Sequence, residues 1–414
     1  MKKQSENNEN LITEITDDNG KIENTEDFAK NAPELNYKSD LQIDFEDDAK
    51  DLILTKRTRH HIKPLPEKKG RKKKKKSKVK KVILIILLVI VALILAVVIA
   101  FGVMYFSGKS DLTDKSAMHL EPYDDDITVI DNGNYINYNG HVYRYKDSMT
   151  SILFMGVDKD EMGTVDNIVG TGGQADALYL VAIDTDNGLT KTFQISRNTM
   201  CDVNLYNSNG DFLSTKNTQI CLSYAYGDGE ETSAENTITS VRRLFYGLPV
   251  AQTYVALDIE GISALNDSIG GVTVTSPVDL GTMYKAGESY ELHGDDAESF
   301  VRSRDKEKVD SNTNRMARQK AYLDAFVSKT ISMTKADMTT PLNIYNDAKP
   351  YTVTNLTASK VSYLAVDLIS KGITGADIEK VPGEDKEGEE FVEYYVDNEE
   401  FFKMIVDTFY VQAD

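Results

Sequence analysis

Four arginines, Arg302, Arg304, Arg315 and Arg318, fall within 17 residues of a segment whose surroundings are acidic. Guanidinium groups at that density suit phosphate, because their planar fork of donors meets two oxygens at once. Phe300-Val301-Arg302-Ser303-Arg304, taken as extended chain, puts Arg302 and Arg304 on one face. Arg315, Arg318, Gln319 and Tyr322 fall at helical positions i, i+3, i+4 and i+7, again a single face. The competing reading is a solvated face with ion pairs to Asp305, Glu307 and Asp310. A second candidate group is Asp158, Asp176 and Arg197. Mg2+ takes one or two protein carboxylates and leaves its other positions to water and phosphate oxygens. Two aspartates beside arginines are therefore a candidate metal centre for phosphate chemistry; the alternative is a pair of ordinary strand-end turn residues.

The elements around the second group would bring it together. Ile152–Val157 and Ala177–Ile183 read as short buried strands, and Asp184-Thr185-Asp186-Asn187-Gly188 turns the chain into a third, Thr190–Ser196. If the first two pair antiparallel, Asp158 and Asp176 share one edge of the sheet. The hairpin through Gly188 then returns Arg197 to the same edge. The connection Lys159–Ala175 is 17 residues long and rich in glycine, a length that points to function. Asn139-Gly140 between Tyr135–Tyr138 and His141–Tyr145 is a strong hairpin signal. Downstream, the pattern predicts helices over Ser233–Tyr246 and Ile259–Ile269, and strands at Thr253–Leu257 and Val272–Thr275. Asp295 with Glu298 resembles an N-terminal capping box for a short helix. Arg315 to about Ser332 reads as an amphipathic helix with Met316, Leu323, Phe326, Val327 and Ile331 on one side. Interleaved strands and helices of this kind make an α/β sandwich.

Val82 to Phe106 contains no charged residue over 25 positions. A helix of that length exceeds the roughly 30 Å of bilayer hydrocarbon, so the run predicts a single membrane span. Residues 68–81 before it carry 11 Lys or Arg and no acid, which places them in the cytoplasm by the positive-inside rule and against anionic membrane lipids. Residues 1–81 thus form a disordered cytoplasmic tail ending in a polybasic block. After the span come an extracellular linker with a β-hairpin over 107–148, the principal domain over 149–332, and a C-terminal part with a small α/β appendage over 333–414. Among the aromatics there, Phe391, Tyr394, Tyr395, Phe401 and Phe402 read as core. With one span, a channel or transporter is excluded. The net charge of −19 argues against a nucleic-acid partner. Cys201 and Cys221, on the exterior side, are separated by 19 residues that include a turn, so they are either a disulfide across a hairpin or two buried thiols.

These segments, in this order, resemble the LytR-CpsA-Psr family of bacterial cell-wall proteins over roughly Met149 to Lys329. The carriers are SILFMGVDKD (151–160), QADALYLVAID (174–184), ISRNT (195–199), LSYAYGDG (222–229), LNDSIGGVTV (265–274), LHGDDAESFVRSR (292–304) and NRMARQK (314–320). The resemblance implies an αβα sandwich and a Mg2+-dependent phosphotransferase. Such an enzyme moves a glycopolymer, such as teichoic acid or capsule, from a polyprenyl-pyrophosphate carrier onto peptidoglycan, the prenyl tail lying in an apolar channel. By position it implies Asp158 and Asp176 as magnesium ligands, acting with Arg302 in catalysis. Arg197, Arg302, Arg304, Arg315, Arg318 and Gln319 would hold the pyrophosphate. Four stretches depart from the family pattern. Gln174-Ala175-Asp176 stands for Arg-Ser/Thr-Asp, Ser196-Arg197-Asn198 for Pro-Arg-Asp, Gln219-Ile220-Cys221-Leu222 for Lys-Ile-Asn-His, and Asn312 for an Asp. Those departures leave open a non-catalytic polyprenyl-phosphate-binding scaffold or regulator of wall assembly. A third reading is an exterior anchor for protein contacts through residues 333–414.

Overall fold

The structure, a computed structural model, describes residues 118–160, 170–207, 209–305 and 311–413, with 102–109, Leu112 and a few isolated positions before them. The tail, the polybasic block, most of the apolar run and residues 161–169 lie outside the described residues, and the expectations placed on them stay as they were. No helix among the described residues is long and apolar enough to cross a membrane.

The chain opens with β1 (Thr128–Ile130), β2 (Tyr135–Tyr138) and β3 (His141–Tyr145). Asn139 and Gly140 both take positive φ, 53° and 80°, the two-residue turn whose twist matches the flanking strands. Next come β4 (Met149–Val157), β5 (Ala175–Asp184), β6 (Leu189–Ile195), and the ribbon β7 (Met200–Tyr206) and β8 (Phe212–Gln219). A short α1 (Leu222–Ala225) leads to α2 (Glu231–Leu244), β9 (Thr253–Leu257), α3 (Ile259–Ser268), β10 (Val272–Thr275), β11 (Ser289–Leu292) and α4 (Asp295–Arg302). The remainder is α5 (Ser311–Ala336), α6 (Thr340–Ala348), β12 (Thr352–Thr354), α7 (Ala358–Ser370), β13 (Ile378–Lys380), β14 (Gly383–Glu387), β15 (Val392–Val396), α8 (Asn398–Phe409) and β16 (Tyr410–Gln412).

The central sheet has the order β12-β9-β4-β5-β6-β13. The β4–β5 and β5–β6 pairs are antiparallel, as the sequence pattern expects, whereas β9 joins β4 and β13 joins β6 in parallel. One face, bearing Leu153, Leu180, Phe193 and Ala256, forms a continuous core with Val241 of α2 and Phe401, Ile405 and Phe409 of α8. The opposite face carries α5 and α7: Gln319 of α5 accepts a hydrogen bond from Tyr179, and Lys360 of α7 donates to Thr253 Oγ1. Helices on both sides of one sheet make the expected αβα sandwich. Strand alternation puts Ile152, Phe154 and Gly156 on this second face, with Val181, Val255, Ala177 and Leu257 across from them. It is incompletely covered. Phe154, in the middle of a central strand, is 38% exposed.

The expected C-terminal appendage is instead integral. β13 extends the central sheet, β16 pairs with β3, and Phe401 and Phe402 are fully buried in the main core. Tyr394 is buried, whereas Phe391 and Tyr395 are exposed. The expected extended stretch at 300–304 is also corrected. Ala297, Phe300 and Val301 share the buried side of α4, and Asp295, Asp296 and Glu298 in its first turn favour the helix dipole, so Arg302 is the last helical residue. The cap is Gly294 without a side-chain bond, so Asp295 lies inside the helix and no capping box forms.

Candidate functional site

The acid edge forms at the ends of β4 and β5. Gly156 pairs with Ala177 and Val157 with Ala175, so Asp176 is the extra residue of a β-bulge. A bulge bends the strand and re-aims the side chain it frees. Asp176 is thereby directed at two guanidiniums: Oδ1 is ion-paired with Arg197 Nη1, and Oδ2 accepts from Arg315 Nη1 at 3.2 Å. Asp158, one residue past β4, is tied by its N–H to Gln174 O at 2.9 Å and meets Arg302 Nη2 at 2.9 Å. Arg302 also pairs with Glu298, one turn earlier on α4.

Arg197 is placed by backbone. Cys221 donates its N–H to Arg197 O and accepts from Ala175 N–H at 3.0 Å, joining the ends of β5 and β6 through a third segment. Any residue could do this, so the departure to Cys221 leaves the scaffold intact. The Arg197 side chain reaches Gln174 Oε1 and Cys221 Sγ, the latter at 3.3 Å. The two cysteines are free, which corrects the disulfide alternative. The ladder sets Cys201 opposite Thr218, and Cys221 lies beyond the ribbon, facing Arg197 instead. Burial pushes the Cys201 thiol up to about 12 and raises Cys221 as well, Arg197 partly offsetting the latter.

Desolvation and neighbouring charge compete at each arginine, with different outcomes. Burial lowers Arg315 despite Asp176, with Arg304 and Arg197 adding like-charge repulsion. At Arg197 burial pulls the same way, but Cys221 and Asp176 together outweigh it and the net shift is upward. Arg302 behaves likewise, its burial outweighed by Glu298 and Asp158. Three buried polar atoms here lack hydrogen-bond partners: Arg197 Nε, Arg315 Nε and Asp176 Oδ1, the last in ion-pair contact without hydrogen-bond geometry. Two unpartnered N–H groups on buried cations are positions an anion can fill.

The face Arg315, Arg318, Gln319 and Tyr322 points into the protein, against the solvated alternative. Arg318 and Gln319 lie behind the edge. Arg318, with no exposed surface, donates to Phe300 O and Ser303 O, and Gln319 donates to Val301 O at 3.2 Å. They hold the end of α4, and through it Arg302. Arg304 lies just beyond α4 and has no ion-pair or hydrogen-bond partner among the described residues. The Glu298–Arg302 pair and the bulge at Asp176 are absent from the sequence reading, which gave Glu298 a capping role; the i, i+4 spacing was the available signal for the pair. Asn198 and Gln219 hydrogen-bond to each other at 3.2 Å beside the site, and Asn312 accepts from Arg315 Nη2 at 2.9 Å.

An αβα sandwich with an acid–arginine edge at the end of a half-covered apolar sheet face defines an α/β protein with a buried guanidinium pair open to an anion. The LytR_cpsA_psr family profile matches residues 107–408, and the chain belongs to that family, as its motifs indicate. It is 28% identical over 218 residues to the polyisoprenyl-teichoic acid–peptidoglycan teichoic acid transferase TagV of Bacillus subtilis, covering 50% of each chain. The match thus spans about half the length of that relative. To the corresponding transferase TagU of Bacillus cereus it is 24% identical over 252 residues, covering 60% of this chain and 74% of that protein. Among solved structures, gbs0355 of Streptococcus agalactiae superposes with a TM-score of 0.50 at 18% identity, over 62% of this chain and 85% of that one. The crystal structure of B. subtilis TagV gives 0.49 at 23% identity, over 63% and 97%.

Proposed function

We propose that this chain is a cell-wall glycopolymer transferase, anchored by residues 82–106 with its N-terminus cytoplasmic and its folded domain outside. Its donor is a glycopolymer on a polyprenyl-pyrophosphate carrier and its acceptor is peptidoglycan. The observation that carries the reading is Asp176 held between Arg197 and Arg315, with the Nε–H of both arginines unpartnered, at the end of the apolar face around Phe154. Pyrophosphate fits the edge and a prenyl tail fits the face. The curated relatives TagV and TagU, named as teichoic acid transferases, point the same way.

The donor set also fits Mg2+. Asp158 and Asp176 would hold it, and Asp176 Oδ1 has an open hydrogen-bonding position. Mg2+ needs only one or two protein carboxylates, since it keeps water and phosphate oxygens in its shell. When bound, such an ion supplies charge neutralisation to the pyrophosphate. The chain's own groups do the rest. Transfer joins an acceptor hydroxyl oxygen to the sugar-side phosphorus and breaks the bridging P–O bond, releasing prenyl phosphate and a proton. Phosphoryl transfer needs positioning and charge stabilisation above all. Arg197 and Arg315 would fix the pyrophosphate by their inward N–H groups. Arg302 and Arg304 at the rim would take the charge that gathers on the departing phosphate, while Arg318 and Gln319 keep α4 in place.

The test is transfer from lipid-linked glycopolymer to peptidoglycan by the full chain in vesicles. Asp176→Ala and Arg302→Ala should each lose about a hundredfold or more; wild-type transfer by both variants would sink the proposal. The neutral Asn198–Gln219 pair favours one other reading, a polyprenyl-phosphate-binding regulator. Metal-independent lipid binding with no turnover on any acceptor would decide for it.

A further inference from the structure

The two aspartates of the edge sit in triads of opposite sign. Asp176 is one carboxylate between two guanidiniums, Arg197 and Arg315, and that triad carries a net +1. Arg302 is one guanidinium between two carboxylates, with Asp158 at 2.9 Å from Nη2 and Glu298 at Nη1, and that triad carries a net −1. The triads adjoin, because Asp158 donates its N–H at 2.9 Å to the carbonyl of Gln174, two residues before Asp176. Arg304, whose charge repels Arg315, adds to the positive one. An anion arriving alone is therefore attracted to one half of the edge and repelled by the other, and a cation meets the reverse.

Glu298 sets the sign of the second triad. Without it Asp158 and Arg302 would cancel. Its hold on Arg302 is also fixed in place, since both residues stand on α4 one turn apart and both ends of that helix are tied. Gly294 N–H donates to Asp267 Oδ1 at 2.8 Å at the start, and Arg318 donates to Phe300 O and Ser303 O at the end. Asp158 belongs to a different element, the end of β4. The three side chains are partly exposed, so a ligand can reach them. A divalent cation on Asp158 withdraws that carboxylate from Nη2, while Glu298 keeps Nη1. Arg302 then has Nη2 to offer to a phosphate oxygen, from a guanidinium that is still oriented.

We propose that Glu298 is a positioning residue that keeps the Asp158–Arg302 half of the edge closed to anions until a divalent cation engages Asp158. Metal-free pyrophosphate is then held by Arg197 and Arg315, and Arg302 joins them only together with the cation. This deepens the function proposed above and rests on its reading of the edge as a site for pyrophosphate and Mg2+.

The experiment measures two dissociation constants on the full chain in phosphatidylcholine vesicles, which add no anionic lipid. One is for inorganic pyrophosphate with metal chelated, by calorimetry; the other is for Mn2+ alone, standing in for Mg2+, by paramagnetic resonance. Glu298→Gln keeps the shape and removes the charge. It should bind metal-free pyrophosphate about threefold more tightly and Mn2+ about threefold more weakly, the size of effect that a partly exposed ion pair supports. Glu298→Asp, which keeps the charge, should return both constants to within about twofold of wild type. A residue that only stabilises α4 would shift both constants the same way or neither. Either of those results in Glu298→Gln, or a failure of Glu298→Asp to restore them, would overturn the role of Glu298 alone. A wild-type chain that binds pyrophosphate without binding Mn2+ would overturn the cation half of the edge, and one that binds neither would remove the proposed function with it.

Discussion

Replacing Asp176 by Asn removes the anion that neutralises two buried cations. The side chains of Arg197 and Arg315 are 12% and 5% exposed, and that of Asp176 is 21% exposed. Breaking a buried ion pair by deleting one partner costs about 3–5 kcal/mol, because the remaining charge is left desolvated. Asn keeps the shape and one acceptor, and the position is partly wet, which together reduce the loss to about 2–3 kcal/mol. At roughly 2–4 °C per kcal/mol the melting temperature should fall by about 5–10 °C. Inorganic pyrophosphate without metal should then stabilise the variant more than the wild type, since the carboxylate of Asp176 no longer competes for the same guanidinium donors. At about a hundred times its dissociation constant the gain is about 2.7 kcal/mol, enough to restore most of the loss. With Mg2+ present the order should invert, because the neutral amide of the variant is a poorer metal ligand than the carboxylate it replaces. Thermal unfolding of both proteins with pyrophosphate, with and without Mg2+, reads all of this. The reasoning fails if Asp176→Asn melts with the wild type, or if metal-free pyrophosphate favours the wild type.

Arg318→Met leaves Phe300 O and Ser303 O without their buried donor, and the urea midpoint should report a loss of about 2–4 kcal/mol. Asp228 caps the start of α2, accepting from Glu230 N at 2.8 Å and Ser233 N at 3.2 Å. Burial tends to raise its carboxyl, but these backbone bonds win and the net shift is below 3.8. A depressed folded value means the stabilisation is complete above the ordinary carboxyl value and lost as pH falls through the folded one. Asp228→Ala should therefore cost about 1 kcal/mol at neutral pH, and the difference in melting from wild type should vanish in strong acid. Both thiols are buried with raised pKa, so a thiol reagent at pH 8 should label neither Cys201 nor Cys221 in the folded chain and both after denaturation.

Local chemistry explains which parts of this arrangement the sequence shows. The antiparallel β4–β5 pair and the Asn139-Gly140 turn follow from short-range patterns, and the first alone puts Asp158 and Asp176 on one edge. Whether the face of Arg315 turns inward is not a local property. The same spacing serves a solvated helix equally well, and the decision is made by Asp176, 139 residues away in sequence. A short helix from Asp295 was legible, but its reach to Arg302 was hidden because Phe300-Val301 suits a strand. The parallel docking of β13 and the return of β16 to β3 join distant segments with no mutual signal, so a C-terminal extension that reads as an appendage proves to be part of the core. The bulge that aims Asp176 depends on register, which a sequence leaves open until both strands are paired.

The departures from the family pattern bear on whether the edge can act, and the structure gives them a common sense. Gln174 and Gln219 stand where the family pattern has basic residues, while Asn198 and Asn312 stand where it has aspartates. Leu222 also stands where the pattern has His, and the other four exchanges remove two basic and two acidic groups. The replacements are amides that keep bonding: Gln219 to Asn198, Asn312 to Arg315, and Gln174 to Arg197. Asn198 and Gln219 join two segments as a neutral pair, and a buried neutral pair avoids the desolvation an ion pair incurs. The carboxylates, Arg197, Arg302, Arg304 and Arg315 are all retained around the two unpartnered N–H groups. Asp176 held between Arg197 and Arg315 keeps the geometry that the proposed transfer needs, and the amides around it keep its supporting segments joined.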